Sequence, residues 1–142
     1  MVRLEREVPM ADLFIVALLG HLVGDYLLQT KYMALNKSEV GWAGIVPCAV
    51  HVAVYTTAVC AFWWTIGPLL VALVFVPHWI IDRWSLATPW LKMIRGRTFD
   101  DALKSRDEYR EFDIAFTSIV YTGTDNTMHL ICLWLVIKFV MI

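Results

Sequence analysis

The long stretch with almost no charge constrains this chain most. Residues 13–91 carry only six charged side chains, whereas 12 of the chain's 25 charged residues fall between residues 92 and 113. Hydrophobic residues make up 59% of the 142 positions, and seven residues are tryptophan. A single domain of this length has too little interior to bury so much apolar chain, so we expect a lipid bilayer around it. The composition excludes a disordered protein, and the formal net charge of −1 gives no reason to expect nucleic acid as a partner.

Four apolar stretches are each long enough, at about 20 residues, to cross a membrane as a helix. The sequence predicts these spans at residues 11–30, 45–66, 68–84 and 119–142. Pro47 and Pro68 lie near the starts of the second and third spans, where a missing N–H costs a helix nothing. The predicted fold is therefore all-α. One transmembrane domain over residues 1–142 would form a four-helix bundle, with a charged, amphipathic segment at residues 85–118.

The basic residues predict the orientation of these spans. With four spans both termini lie on one side, where only three lysines and arginines are found. The loop at residues 31–44, Arg83 at the end of the third span and the segment at residues 85–118 hold the other nine. By the positive-inside rule that second side is cytoplasmic, so both termini are predicted to lie outside the cytoplasm. The mixed-charge run at residues 92–113 is either a solvated surface or a contact for a cytoplasmic protein partner.

All four histidines fall inside the predicted spans, and so do three aspartates besides Asp12, which lies at the edge of the first span. An ionisable group at the centre of a bilayer costs about 2.5 to 3.5 kcal/mol on insertion scales, so it persists where it pairs, binds a ligand or lines a cavity. Six of the seven form pairs spaced four residues apart, which places both side chains on one helix face. The pairs are His21 with Asp25, His78 with Asp82 and, in reversed order, Asp125 with His129. The remaining histidine is His51, with Tyr55 one turn further along its face.

The depth of these residues in the membrane predicts that they meet. Counting about 1.5 Å per residue from the cytoplasmic ends of the spans, all seven fall in the half nearer the cytoplasm. The last span runs antiparallel to the first and third. The reversed order of Asp125 and His129 therefore returns the aspartate to the same side as in the other pairs.

Four imidazoles and three carboxylates in one layer of a helical bundle match a metal site built from facing helices. These donors suit Zn²⁺ best, with Fe²⁺ or Mn²⁺ as alternatives, and the three cysteines lack metal-ligand spacing. Either two ions share the site, or one ion takes three or four groups and the others orient ligands and carry protons. Asp25 and Asp125 are both candidates for a catalytic general base. The predicted metal ligands are His21, Asp25, His51, His78, Asp82, Asp125 and His129.

Several neighbouring residues are consistent with a constructed site. Gly20 and Gly24 form a ridge of small residues beside His21 that would let another backbone approach closely. Pro77 removes a backbone N–H and predicts a kink in the third span near His78. Four side chains are predicted to contact substrate or to support the ligands: Gln29, Tyr55, Arg83 and Asn126.

The motifs His21-Leu-Val-Gly-Asp25, His51-x-x-x-Tyr55, His78-Trp-Ile-Ile-Asp82-Arg83 and Asp125-Asn-Thr-Met-His129 follow one another along residues 13–135. This ordered set resembles a domain-of-unknown-function family of small polytopic membrane proteins of bacteria and phages. The resemblance implies a polar core and supplies no established activity. We expect the protein in the bacterial inner membrane. More loosely, the His-x-x-x-Asp pattern is similar to membrane-bound metal-dependent hydrolases of bacterial inner membranes.

Three classes of function follow from these observations. The leading prediction is a membrane-embedded metal-dependent hydrolase that takes a lipid ester, amide or phosphoester from the cytoplasmic leaflet. The second is a transporter or channel for protons or divalent metal, for which a homo-oligomer would supply further helices. The third is a structural or regulatory membrane protein, bacterial or phage-encoded, that acts through residues 92–113. Simple polar pairing between helices averages only about 0.6 kcal/mol per hydrogen bond, too little to offset seven buried ionisable groups.

Overall fold

The computed structural model describes residues 8–96 and 98–141, and within them it contains helices and no β-strand. The predicted all-α class is therefore confirmed. α1 and α7 each continue into a short π-helical segment, at Val23–Leu27 and Ile137–Met141. The α-helices are α1 (Met10–Leu22), α2 (Lys31–Asn36), α3 (Trp42–Trp63), α4 (Pro68–Arg83), α5 (Ala87–Arg95), α6 (Phe99–Lys104) and α7 (Arg110–Val136).

Four long helices surround the interior. Both α1 and α4 contact α3 and α7, so the four close into a ring. The half of the ring nearest the α3–α4 connection is an apolar core, formed by Ala17, Tyr55, Val59, Trp63, Leu70, Val74, Leu133, Val136 and Ile137. The other half holds the predicted histidines and aspartates. Along their helices the histidines lie about one turn from this core and the aspartates about two turns.

In the part of the chain that the structure describes, two helical segments are long and apolar enough to cross a membrane, Met10–Leu27 and Trp42–Trp63. α4 passes the same test only together with α5, as a pair bent by 56°. α7 begins at Arg110 rather than near residue 119, and polar residues such as Asp125 and Asn126 lower its apolar character. The two candidate spans support association with a membrane. They do not establish the four spans that the sequence predicts.

Two glycines allow α1 and its π-helical extension to lie directly against α3. A Cβ atom on Gly20 would lie 2.8 Å from the Val59 Cα, and one on Gly24 would lie 2.8 Å from the Tyr55 ring. Contacts this short are sterically forbidden, so larger residues at either position would separate the two helices. The predicted close approach is confirmed, and the backbone that approaches is that of α3.

α2 and the loop at residues 37–41 pack over the start of α3. The Thr30 hydroxyl caps α2 by accepting a hydrogen bond from the Met33 N–H at 3.2 Å. At Gly44 a Cβ atom would lie 1.9 Å from the Glu39 carbonyl oxygen, so only glycine lets the loop come this close. The loop thereby holds Lys37 over the polar end of the ring.

α4 continues through Pro77 as one helix over Pro68–Arg83. The large change of direction comes later, at the 56° bend between α4 and α5. After the bend Ala87 and Leu91 are buried, while Trp90 and Met93 remain exposed. The bend therefore leaves one end of α4 over the polar half of the ring and turns α5 away from it.

Candidate metal centre

Three side chains from α3 and α4 converge on one point. The Nε2 atoms of His51 and His78 lie 3.1 Å apart. Asp82 Oδ2 lies 3.0 Å from His51 Nε2 and 3.1 Å from His78 Nε2. All three residues are at most 2% exposed. His78 and Asp82 share a face of α4 because they are four residues apart, and that face is turned toward α3.

The distances between these three atoms fit ligands around one small cation. Ligand atoms about 2.0 to 2.1 Å from a Zn²⁺ ion are separated by about 2.9 Å at right angles and about 3.3 Å at tetrahedral angles. The observed separations of 3.0 to 3.1 Å fall within this range. The Nδ1 atoms of both rings are buried and, within the described residues, have no hydrogen-bond partner. The polar contacts of these two rings are therefore concentrated at the Nε2 atoms.

Asp25 approaches the same point from the π-helical turn that follows α1. Its Oδ1 lies 3.4 Å from His51 Nε2 and 3.5 Å from His78 Nε2. This oxygen is buried, and no hydrogen-bond partner for it is found in the described part of the chain. A π-helical turn changes the direction in which the following side chains point, and such turns are frequent at functional sites. Asp25 Oδ1 therefore faces the same two imidazole nitrogens as Asp82 Oδ2.

α7 adds a second group of donors on the other side of Asp82. His129 Nε2 lies 3.5 Å from Asp82 Oδ1 and 3.6 Å from Asp125 Oδ2. In residues 8–96 and 98–141, neither His129 Nε2 nor the buried Asp125 Oδ1 has a hydrogen-bond partner. Asp82 thus presents one oxygen to α3 and α4 and the other to α7. A carboxylate in this position can hold one ion or bridge two.

The structure confirms that the predicted histidines and aspartates lie close together. Three overlapping groups have donor atoms that all lie within 4.8 Å of one another. Asp82 belongs to two of these groups, as do His78 and His129. The groups are Asp25, His78 and His129; His51, His78 and Asp82; and Asp82, Asp125 and His129.

His21 lies beside these three groups. Its Nε2 is 2.6 Å from Asn126 Oδ1, to which it donates a hydrogen bond. Its Nδ1 is 3.3 Å from the Tyr55 hydroxyl and 3.2 Å from Asp25 Oδ2. Both ring nitrogens therefore have protein partners at hydrogen-bonding distance. With Nε2–H donating to Asn126, the Nδ1 of a neutral His21 accepts from the Tyr55 hydroxyl. The predicted ligand His21 thus belongs to none of the three donor groups.

The four predicted supporting residues differ in their contacts. The Gln29 amide donates toward His51 Nε2 at 3.2 Å, and the Tyr55 ring stacks on the His78 ring with centroids 3.6 Å apart. Asn126, besides its contact with the first histidine, donates to the Tyr26 hydroxyl. Arg83 is partly buried beside Asp82, and no hydrogen bond or ion pair joins it to the cluster within the described residues.

Lys37 is a cluster residue that sequence reasoning missed. Its Nζ lies 2.9 Å from Asp82 Oδ2, and its side chain is only 17% exposed. Burial alone would lower the pKa of Lys37, but the Asp82 carboxylate outweighs this and raises it above the ordinary value. The sequence shows Lys37 only as a basic residue in a loop. No spacing rule connects it to Asp82, because the packing of the loop onto Gly44 brings the two together.

The net charge of the cluster depends on its imidazoles. Among the described residues, the carboxylates of Asp25, Asp82 and Asp125 face one ammonium group, that of Lys37. With neutral imidazoles two negative charges are left in a buried site, where unpaired charge is costly. One divalent cation would neutralise them. The donor types, their separations and the missing charge all fit such an ion.

Comparisons with known proteins agree with the resemblance in the motifs. No curated protein and no solved structure matches this chain. A family model does match it, over residues 13–142, and this range includes every residue of the cluster. The chain belongs to the family described as protein of unknown function (DUF3307).

Proposed function

We propose that this protein is a membrane-embedded, metal-dependent hydrolase whose ion is held by His51, His78 and Asp82. The observation that carries the proposal is the convergence of two imidazole nitrogens and a carboxylate oxygen at 3.0 to 3.1 Å. Asp25 Oδ1 supplies a fourth donor from another helix. Imidazole and carboxylate donors favour Zn²⁺, with Fe²⁺ or Mn²⁺ as alternatives.

The chemistry would be attack by water on an ester, amide or phosphoester. A divalent ion bound here supplies a water molecule whose pKa is lowered toward about 7. The general base must then be a carboxylate that does not bind the ion. Asp25 Oδ1 faces the two imidazoles, which favours a ligand role for it. Asp125 has a buried oxygen with no hydrogen-bond partner among the described residues and lies beside His129, so we assign the base to Asp125.

The expected substrate is an amphiphile, because the cluster lies in the membrane-associated part of the chain. We propose that α1, α3, α4 and α7 all cross the bacterial inner membrane, with both termini outside the cytoplasm. α2 and the charged residues 92–113 then lie at the cytoplasmic face. The polar half of the ring is the half nearest α2, so a lipid in the cytoplasmic leaflet would meet it through its headgroup.

Elemental analysis of the detergent-purified protein tests the metal centre directly. We expect stoichiometric zinc, iron or manganese in the wild type and its loss in His51→Ala. Val50→Ala is the matched control, since Val50 is the exposed neighbour on the same helix. Circular dichroism establishes that each variant keeps its helices. A wild type without metal after reconstitution, or a His51→Ala variant with full metal content, would contradict the proposal.

Purified protein in proteoliposomes separates hydrolysis from transport. The hydrolase predicts release of product from an amphiphilic ester, amide or phosphoester, with dependence on the bound metal. Flux of protons or Zn²⁺ without hydrolysis would replace the enzyme by a transporter that uses the same residues. Deletion of residues 98–108 with the histidines intact should leave hydrolysis in place, whereas a protein that acts through its charged segment would lose its effect.

A further inference from the structure

We propose that Lys37 binds a phosphate group of the substrate beside the metal centre, so that the substrate class is a phosphate ester. This inference rests on the metal centre of the proposed function. It adds a specific ligand chemistry that the histidine and aspartate motifs do not contain.

Both the backbone and the side chain of Lys37 are held in place by contacts with the rest of the protein, unlike those of an exposed surface lysine. Its backbone N–H donates to the Met33 carbonyl at 2.9 Å, which fixes it at the end of α2. The loop that follows is held against α3 where Gly44 leaves no room for a Cβ atom. The side chain then runs inward and is mostly buried. Ordering and burying a lysine is costly, and the ion pair with Asp82 at 2.9 Å offsets that cost.

Lys37 shares one oxygen atom with the proposed metal ligands. Its Nζ contacts Asp82 Oδ2 at 2.9 Å, and the same oxygen faces His51 and His78. An ion bound at this oxygen would therefore have the ammonium group as its neighbour. The ammonium group and the ion would then lie side by side, and a ligand with several anionic oxygens can contact both of them.

The local arrangement of charge favours the same ligand. The Lys37 ammonium and a divalent ion held at Asp82 Oδ2 would be two adjacent positive groups. A neutral ester or amide presents a single carbonyl oxygen without charge. A phosphate ester presents anionic oxygens to both groups, and lysine is a common point-charge partner for phosphate. The location is also suitable, since Lys37 reaches the cluster from the side of α2, where the proposal places lipid headgroups.

The test compares four forms of the zinc-loaded, detergent-purified protein: the wild type, Lys37→Met, Lys37→Arg and Lys31→Met. Lys31 is an exposed lysine on the same short helix and serves as the control. Zinc content is measured by elemental analysis, and binding of inorganic phosphate by isothermal titration calorimetry. We expect all four forms to keep zinc. We expect Lys37→Met to bind phosphate at least about tenfold more weakly, because one charge-assisted hydrogen bond is lost. Lys37→Arg should stay within about threefold of the wild type, since arginine keeps the charge.

Several results would overturn the inference while leaving the metal centre intact. These are unchanged phosphate affinity in Lys37→Met, or a zinc-loaded wild type that binds no phosphate. Loss of zinc in Lys37→Met would mean that the lysine supports the metal ligands and does not bind substrate. A wild type that binds no zinc refutes the proposed function itself, which is a different result. A parallel titration with short-chain phosphatidic acid identifies the source of the phosphate: tighter binding than inorganic phosphate indicates a lipid, and equal binding indicates a soluble phosphate ester.

Discussion

Replacement of Asp82 by asparagine tests the proposed metal centre, because Asp82 contacts more residues of the cluster than its neighbours do. Asp82 lies within 3.5 Å of Lys37 and of three histidines, and asparagine keeps its shape while removing its charge. We expect zinc to bind Asp82→Asn at least about 100-fold more weakly. Loss of a group that only supports a ligand already lowers metal affinity by about 10 to 100-fold. At a zinc concentration about 1,000 times the wild-type Kd, binding stabilises the wild type by about 4.1 kcal/mol. The same concentration would stabilise Asp82→Asn by about 1.4 kcal/mol, so about 2.7 kcal/mol of zinc-dependent stabilisation is lost.

Thermal unfolding in detergent, with saturating zinc and with a chelator, measures this difference. The control is Asp12→Asn, which removes an exposed carboxylate at the start of α1 and should leave the zinc-dependent shift unchanged. An Asp82→Asn variant with the full wild-type shift would refute the assignment of Asp82 as a ligand. A wild type whose unfolding does not respond to zinc would refute the centre as a whole.

Two further variants separate packing from chemistry. Gly20→Ala should destabilise the protein by about 1 to 3 kcal/mol, because the added Cβ meets the α3 backbone; Gly123→Ala, where a Cβ meets open space, should be neutral or stabilising in the same unfolding assay. Asp125→Asn should keep its zinc in elemental analysis and lose hydrolysis, the opposite of a ligand variant that loses both. Zinc loss in Asp125→Asn would move Asp125 from base to ligand, and full hydrolysis would remove it from the mechanism.

The cluster shows how far reasoning from spacing extends. Residues four apart share a helix face, so His78 with Asp82 and Asp125 with His129 were predictable as local pairs. Depth along the spans then predicted that the pairs lie in one layer, and the structure brings them within a few ångströms of each other. The close approach of a second helix at Gly20 and Gly24 was predictable for a similar reason, because small residues four apart share a helix face and permit close packing.

The sequence by itself determined the helical fold, the apolar character of the segments at Met10–Leu27 and Trp42–Trp63, and most of the ionisable residues that meet. Periodicity and rise per residue are properties of one helix, and they suffice for these conclusions. Only the tertiary structure decided that His21 Nε2 is hydrogen-bonded to Asn126 and that Lys37 enters the cluster. It also decided that one oxygen of Asp82 faces His51 and the other faces His129. These depend on the rotation of each helix about its axis and on the path of a loop, which are set by packing between distant parts of the chain and leave no periodic signal in the sequence.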